Sequence, residues 1–151
     1  MAYDATAASH RALREIRRQL ERHPAVIAAR GFPPDAHTTV EATLDLVAFD
    51  APPDAYPVET ATLTVRWFAG ETPDQRPTFS IHYSDDSGID CGWHHEPNPH
   101  VEGWGHHQWR TTASGEYTYE RYSFGTTVPG RVTWEILSVL PERVASLHAS
   151  R

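Results

Sequence analysis

Apolar residues recur along this chain with two different periods, and the change between them divides it. Over 5–21, Leu13, Ile16 and Leu20 return at spacings of three and four, which predicts an amphipathic helix with one buried stripe. Asp4 and Thr6 are placed to cap it. Pro24 ends that helix or opens a short new one, and Gly31, Pro33 and Pro34 close an N-terminal helical region over 1–31. From 37 the period drops to two. Val40, Ala42, Leu44, Leu46 and Ala48 alternate with polar residues over 37–49, and Ala61, Leu63, Val65 and Trp67 do so over 58–68. Both stretches predict half-buried strands. The three prolines in 50–57 make the connection a loop. A third strand over 78–84 alternates Phe79, Ile81 and Tyr83 with Ser80 and His82, then meets the turn signal Asp85-Asp86-Ser87-Gly88.

Alternation breaks over 90–110, where Gly92, Pro97, Pro99, Gly103 and Gly105 predict an irregular excursion between sheet strands. It resumes over 116–124 as a strand or half a hairpin. Thr127, Pro129 and Gly130 then open a helical region over 127–149, with Trp134, Leu137, Leu140, Val144 and Leu147 as its apolar face and Pro141 expected to kink it. The expectation is an α+β domain over 1–151. An antiparallel sheet of about four to six strands, within 37–124, carries the N- and C-terminal helices on one face.

Composition narrows the setting. A chain of 151 residues is one domain long, and the single cysteine, Cys91, allows no internal disulfide. No apolar run has the length of a signal peptide or a membrane span, so a cytoplasmic setting is expected. The net charge is −7 and every one of the 13 basic residues is arginine. That arginine-only usage, rich in Ala, Asp and Glu, is expected of a GC-rich, halophile-like genome. Such a field repels nucleic acid, so contact with RNA would need a local basic patch.

His94, His95, His100, His106 and His107 fall within 14 residues, where even spreading predicts about one. Three explanations stand side by side. His94, His100 and His106, with Asp90, Glu96 or Cys91, are donor types for a divalent metal such as zinc or manganese, although the spacing is that of no zinc finger. Alternatively, His106 or His107 with His82 or His100, beside Arg110 and Arg66, supplies acid, base and cation for metal-free chemistry on a phosphodiester. Adjacent residues on an extended chain face opposite ways, so one of His106 and His107 enters such a site. The third explanation is a polar loop whose imidazoles bond backbone groups that have no ladder.

Trp93, Trp104 and Trp109 flank the histidines and either stack on nucleobases or roof the core. Arg11, Arg14, Arg18 and Arg22 form a basic stripe on the first helix, which Glu15 and Glu21 are spaced to neutralise. Asp85 and Asp86 lack the further oxygen ligands of a calcium loop and suit a turn. The Cys91-x-x-His94 spacing is a weak signal beside an ordinary semi-buried thiol.

The strand Phe79-Ser-Ile-His-Tyr83, the Asp-Asp-Ser-Gly turn, Pro99-His100 and Gly105-His106-His107-Gln108 resemble the TumE-like family of prokaryotic toxin–antitoxin proteins. That family shows a similar order of strand, acidic-Gly turn, strand, Pro-His motif, Pro-His-His motif and C-terminal helix. The likeness spans 40–140 and has specific residues over 79–108. It implies a toxin-like component acting with a cognate antitoxin, with the histidines as the functional cluster. The chemistry expected is that of a ribonuclease-like or metal-dependent phosphodiesterase centred on His100, His106 and His107. The alternative is a non-enzymatic binding or structural protein whose His/Trp loop docks a partner or holds a structural metal.

Overall fold

The computed structural model describes residues 2–49 and 58–150, and the expected loop over 50–57 lies outside them. Helix α1, Ala5–Arg22, begins where the Asp4 carboxylate accepts a hydrogen bond from the Ala7 amide at 3.1 Å. It buries the stripe Leu13, Ile16 and Leu20. The chain then departs from expectation. Instead of more helix, Val26–Phe32 forms strand β1, paired antiparallel with β2, Thr39–Leu44. Pairing with a neighbour overrides weak local propensity here, since a β-branched Val-Ile start suits a ladder. A 3₁₀ turn, Leu46–Phe49, ends the strand predicted over 37–49 early.

Strands β3 (Ala61–Phe68) and β4 (Thr78–Asp85) follow the predicted alternation. The main correction concerns 90–110. It is a hairpin, β5 (Asp90–His95) and β6 (Gly105–Arg110), in register with β4 on one side and with β7 (Thr118–Arg121) on the other. Pro97, Pro99 and Gly103 gather in the connection between β5 and β6, where Gly103 has φ +85°, while Gly92 and Gly105 lie inside strands. The result is an α+β fold: among the described residues, one antiparallel sheet of seven strands in sequential order, with a helix before it and a helix after it.

One face of the sheet presents Val40, Leu63, Val65, Ile81, Tyr83 and Trp93 to both helices, and these form one core. Helix α2, Pro129–Ala149, contributes Val132, Ile136, Leu137, Leu140, Val144 and Leu147. Burying each such side chain is worth about 1.5–3 kcal/mol relative to leaving it in water. Two expectations for α2 need correction. The helix runs unbroken through Pro141, because packing of Leu140 and Val144 on the sheet outweighs one lost backbone hydrogen bond. Trp134 is not on the buried face; it is 41% exposed and donates its indole N–H to Gln19 Oε1 at 2.7 Å. Among the described residues, no helix is long and apolar enough to cross a membrane.

Candidate active site

Both helices bury their apolar stripes on one face of the sheet, and period two decides what the opposite face displays. Register pairs Arg66 with Ser80, Ser80 with His94, and His94 with His106 in one row across β3–β6. The next row is Thr64, His82, Gly92 and Gln108, and the one after holds Ser84, Asp90 and Arg110. Three imidazoles thus meet on one surface although they come from three strands. The His82 and His94 rings meet edge to face at 5.3 Å, and His94 stacks on His106 at 4.7 Å.

The arrangement depends on Gly92. A Cβ there would fall within the His82 ring, so the imidazole lies across the glycine backbone in a space no other residue would leave. In that position His82 Nδ1 is 2.6 Å from Asp90 Oδ1. Asp90 Oδ2 in turn accepts from the Tyr117 hydroxyl at 2.9 Å and from Arg110 Nη2 at 3.5 Å, and the Arg110 guanidinium lies over the Tyr117 ring at 4.7 Å. Burial works to raise the Asp90 pKa, but the bond and charge of His82, then Tyr117 and Arg110, bring it below the usual carboxylate value. Tyr117 is pushed up to about 12 by burial and by its bond to Asp90, and so stays a phenol. A carboxylate this close to Nδ1 favours the proton on that nitrogen, which leaves Nε2 of the same ring as the basic nitrogen.

His94 differs. Burial, with His82 and His106 as neighbours, pushes its pKa down to about 4 against the opposing pull of Glu96, whose Oε1 is 3.1 Å from Nδ1. It is neutral at pH 7, and its buried Nε2 has no hydrogen-bond partner among the described residues. His106 is also lowered by burial; its Nε2 faces Gln108 Oε1 at 3.2 Å. Together Thr64, Arg66, Ser80, His82, Asp90, His94 and Tyr117 line a cleft of about 330 Å³.

Several expected site residues lie elsewhere. His107 points to the helix-covered face, where Nδ1 donates to the Gly92 carbonyl at 2.8 Å and Nε2 accepts from Arg143 Nε at 2.9 Å. Both nitrogens are engaged and burial drives its pKa down to about 4, which makes it a neutral structural residue. Trp93 and Trp109 share that face, stacked on His107 at 4.4 and 5.0 Å, so they belong to the core and its edge rather than to a base-binding surface. Trp104, in the β5–β6 connection, packs at 5.1 Å from His95 and under Arg76. His100 is an exposed rim residue stacked on Tyr119 at 4.2 Å. Cys91 is fully buried, and burial pushes its thiol pKa up.

The metal set His94, His100, His106 and Asp90 is not assembled. Among the described residues no three His, Cys, Asp or Glu side chains group so as to hold an ion, because Asp90 is committed to His82 and His100 to Tyr119. Sequence reasoning missed the His82–Asp90 pairing, Tyr117, and the hydroxyls of Thr64 and Ser80. One signal was present: Asp90, Gly92 and His94 repeat at period two, as do His106, Gln108 and Arg110. No protein-family model, curated protein or solved structure matches the chain.

Proposed function

We propose that this protein is a ribonuclease-like phosphodiesterase that uses His82 without a metal, the toxin-like partner of a cognate antitoxin as the family resemblance implies. The observation that carries the chemistry is the His82–Asp90 pair at 2.6 Å, set in a cleft with Arg66 and a neutral His94. His82 Nε2 takes the proton of a ribose 2′-hydroxyl as that oxygen attacks phosphorus. Asp90 holds the ring and stabilises the imidazolium that forms. The P–O5′ bond breaks, and the same Nε2 returns the proton to O5′, leaving a cyclic 2′,3′-phosphate and a 5′-hydroxyl. Arg66, exposed on the face beside Ser80, neutralises charge that grows on the phosphoryl oxygens. His94 keeps a second positive charge away from His82 while that ring is protonated.

The test is incubation of the purified protein with end-labelled RNA. Cleavage giving cyclic phosphate ends, reduced about 10²–10⁴-fold in His82→Ala, is the expected result for loss of a general base. Equal cleavage by wild type and His82→Ala removes this mechanism. Growth arrest on expression in a bacterial host, relieved by the same substitution and by a neighbouring small protein, tests the toxin role.

A further inference from the structure

The cleft over His82 does not end at Arg66. Arg66, Ser80 and His94 also line a second cleft of about 410 Å³, bounded by Phe68 and Thr78 at the ends of β3 and β4 and by Thr6 and Ser9 in α1. The two cavities therefore meet along three shared side chains, and the shared arginine has no ion pair or side-chain hydrogen bond among the described residues. Each cavity is in the size range that holds a small ligand.

Three features of the second cleft match a nucleotide unit. Phe68 projects from the same face of β3 as Arg66, is 39% exposed, and has no ring contact among the described residues. Thr64, Arg66 and Phe68 follow one another at steps of about 7 Å along the strand. Electrostatics agree, despite the overall charge of −7. The one carboxylate lining the cleft, Glu96, is occupied with His94. Hydroxyls of Thr38, Thr78 and Ser80 supply polar contacts.

We infer that the substrate is a single-stranded oligonucleotide longer than two residues, laid along the open face of β3 with the scissile phosphate between His82 and Arg66 and the base one residue beyond the cleaved pair stacked on Phe68. The inference rests on the phosphodiesterase reading of the His82 site and names what that site takes. Stacking on an aromatic ring requires an unpaired base and tolerates any sequence, so the preference is for length and single-strandedness.

Fluorescence anisotropy with labelled 2′-O-methyl oligonucleotides, which offer no attacking hydroxyl, separates binding from chemistry. A pentanucleotide is expected to bind the full chain at least about tenfold more tightly than a dinucleotide, and more tightly than a duplex. Phe68→Ala should bring the pentanucleotide down to the dinucleotide level without changing dinucleotide binding; Phe68→Leu, which keeps the bulk and not the ring, should do the same in a folded protein. Equal affinity for both lengths, duplex binding as tight as single-strand binding, or indifference to both Phe68 variants overturns the inference. If unmodified RNA is cleaved at a rate independent of length and of Phe68, the chemistry stands and the extended groove falls. Length- and Phe68-dependent binding with no cleavage leaves the groove standing and removes the phosphodiesterase.

Discussion

His82 Nδ1 lies 2.6 Å from Asp90 Oδ1 because Gly92, the partner of His82 across β4 and β5, has no side chain to displace the ring. The pair is thus a product of one missing methyl group as much as of the two residues that form it. In Asp90→Asn the amide no longer stabilises an imidazolium. RNA cleavage should fall by about 10²–10⁴-fold in kcat with little change in KM, measured under steady-state conditions. A loss confined to KM would assign Asp90 to binding instead.

Gly92→Ala tests the same geometry from the backbone side. The added methyl must push the His82 ring off its seat, so activity should drop towards that of His82→Ala. Overpacking of this kind costs about 1–3 kcal/mol, to be read as a lower urea midpoint with an unchanged circular dichroism spectrum. A fully active Gly92→Ala protein would mean that His82 works from another position.

Arg143 and His107 clamp α2 to the sheet through the 2.9 Å bond between them. Arg143→Ala leaves the buried Nε2 acceptor without its donor, and the helix loses the guanidinium packed over Trp109 at 4.3 Å. A destabilisation of about 1–3 kcal/mol by chemical denaturation is expected. Cleavage by the still-folded fraction should be unchanged, since this cluster lies on the face opposite His82.

Acid should weaken the fold through the same histidine. Its pKa falls from 6.5 when unfolded to about 4 when folded, mainly by burial, so the unfolded chain binds the extra proton between those values. Above about pH 6.5 His107 is neutral in both states and stability has its full value; it declines as pH falls from there to about 4. His94, shifted to the same region by burial, adds to the slope. The unfolding free energy from urea titrations at pH 7, 5.5 and 4.5 should fall by about 2 kcal/mol across that range for His107 alone. In His107→Gln the decline should be shallower, and an identical slope would show that other groups cause it.

Chelation separates the two chemistries considered for the cluster. With EDTA present during purification and assay, cleavage by His82 and Asp90 should persist at its original rate. Abolition by EDTA with recovery on adding zinc or manganese would replace the proposed proton transfer with a metal-assisted one.

Periodicity alone determined much of this protein. The three-four spacing of Leu13, Ile16 and Leu20 specifies α1, and the alternation through Leu63, Val65, Phe79 and Ile81 specifies β3, β4 and their inward faces. Those signals are local, because a buried stripe needs only the geometry of its own element. Strand β1 and the β5–β6 hairpin were not legible in that way. Val26–Phe32 becomes a strand because Thr39–Leu44 pairs with it, and the glycines at 92 and 105 read as breakers until their neighbours show what fills the space above them. The histidine cluster was visible as composition, yet its members were divided by the sheet: His94 and His106 to the open face with His82, His107 to the core with Arg143. Which side of a strand a residue takes depends on register, and register is set by partners distant in sequence. The tertiary structure alone therefore decided that His82, eight residues before Asp90, meets that carboxylate on the open face.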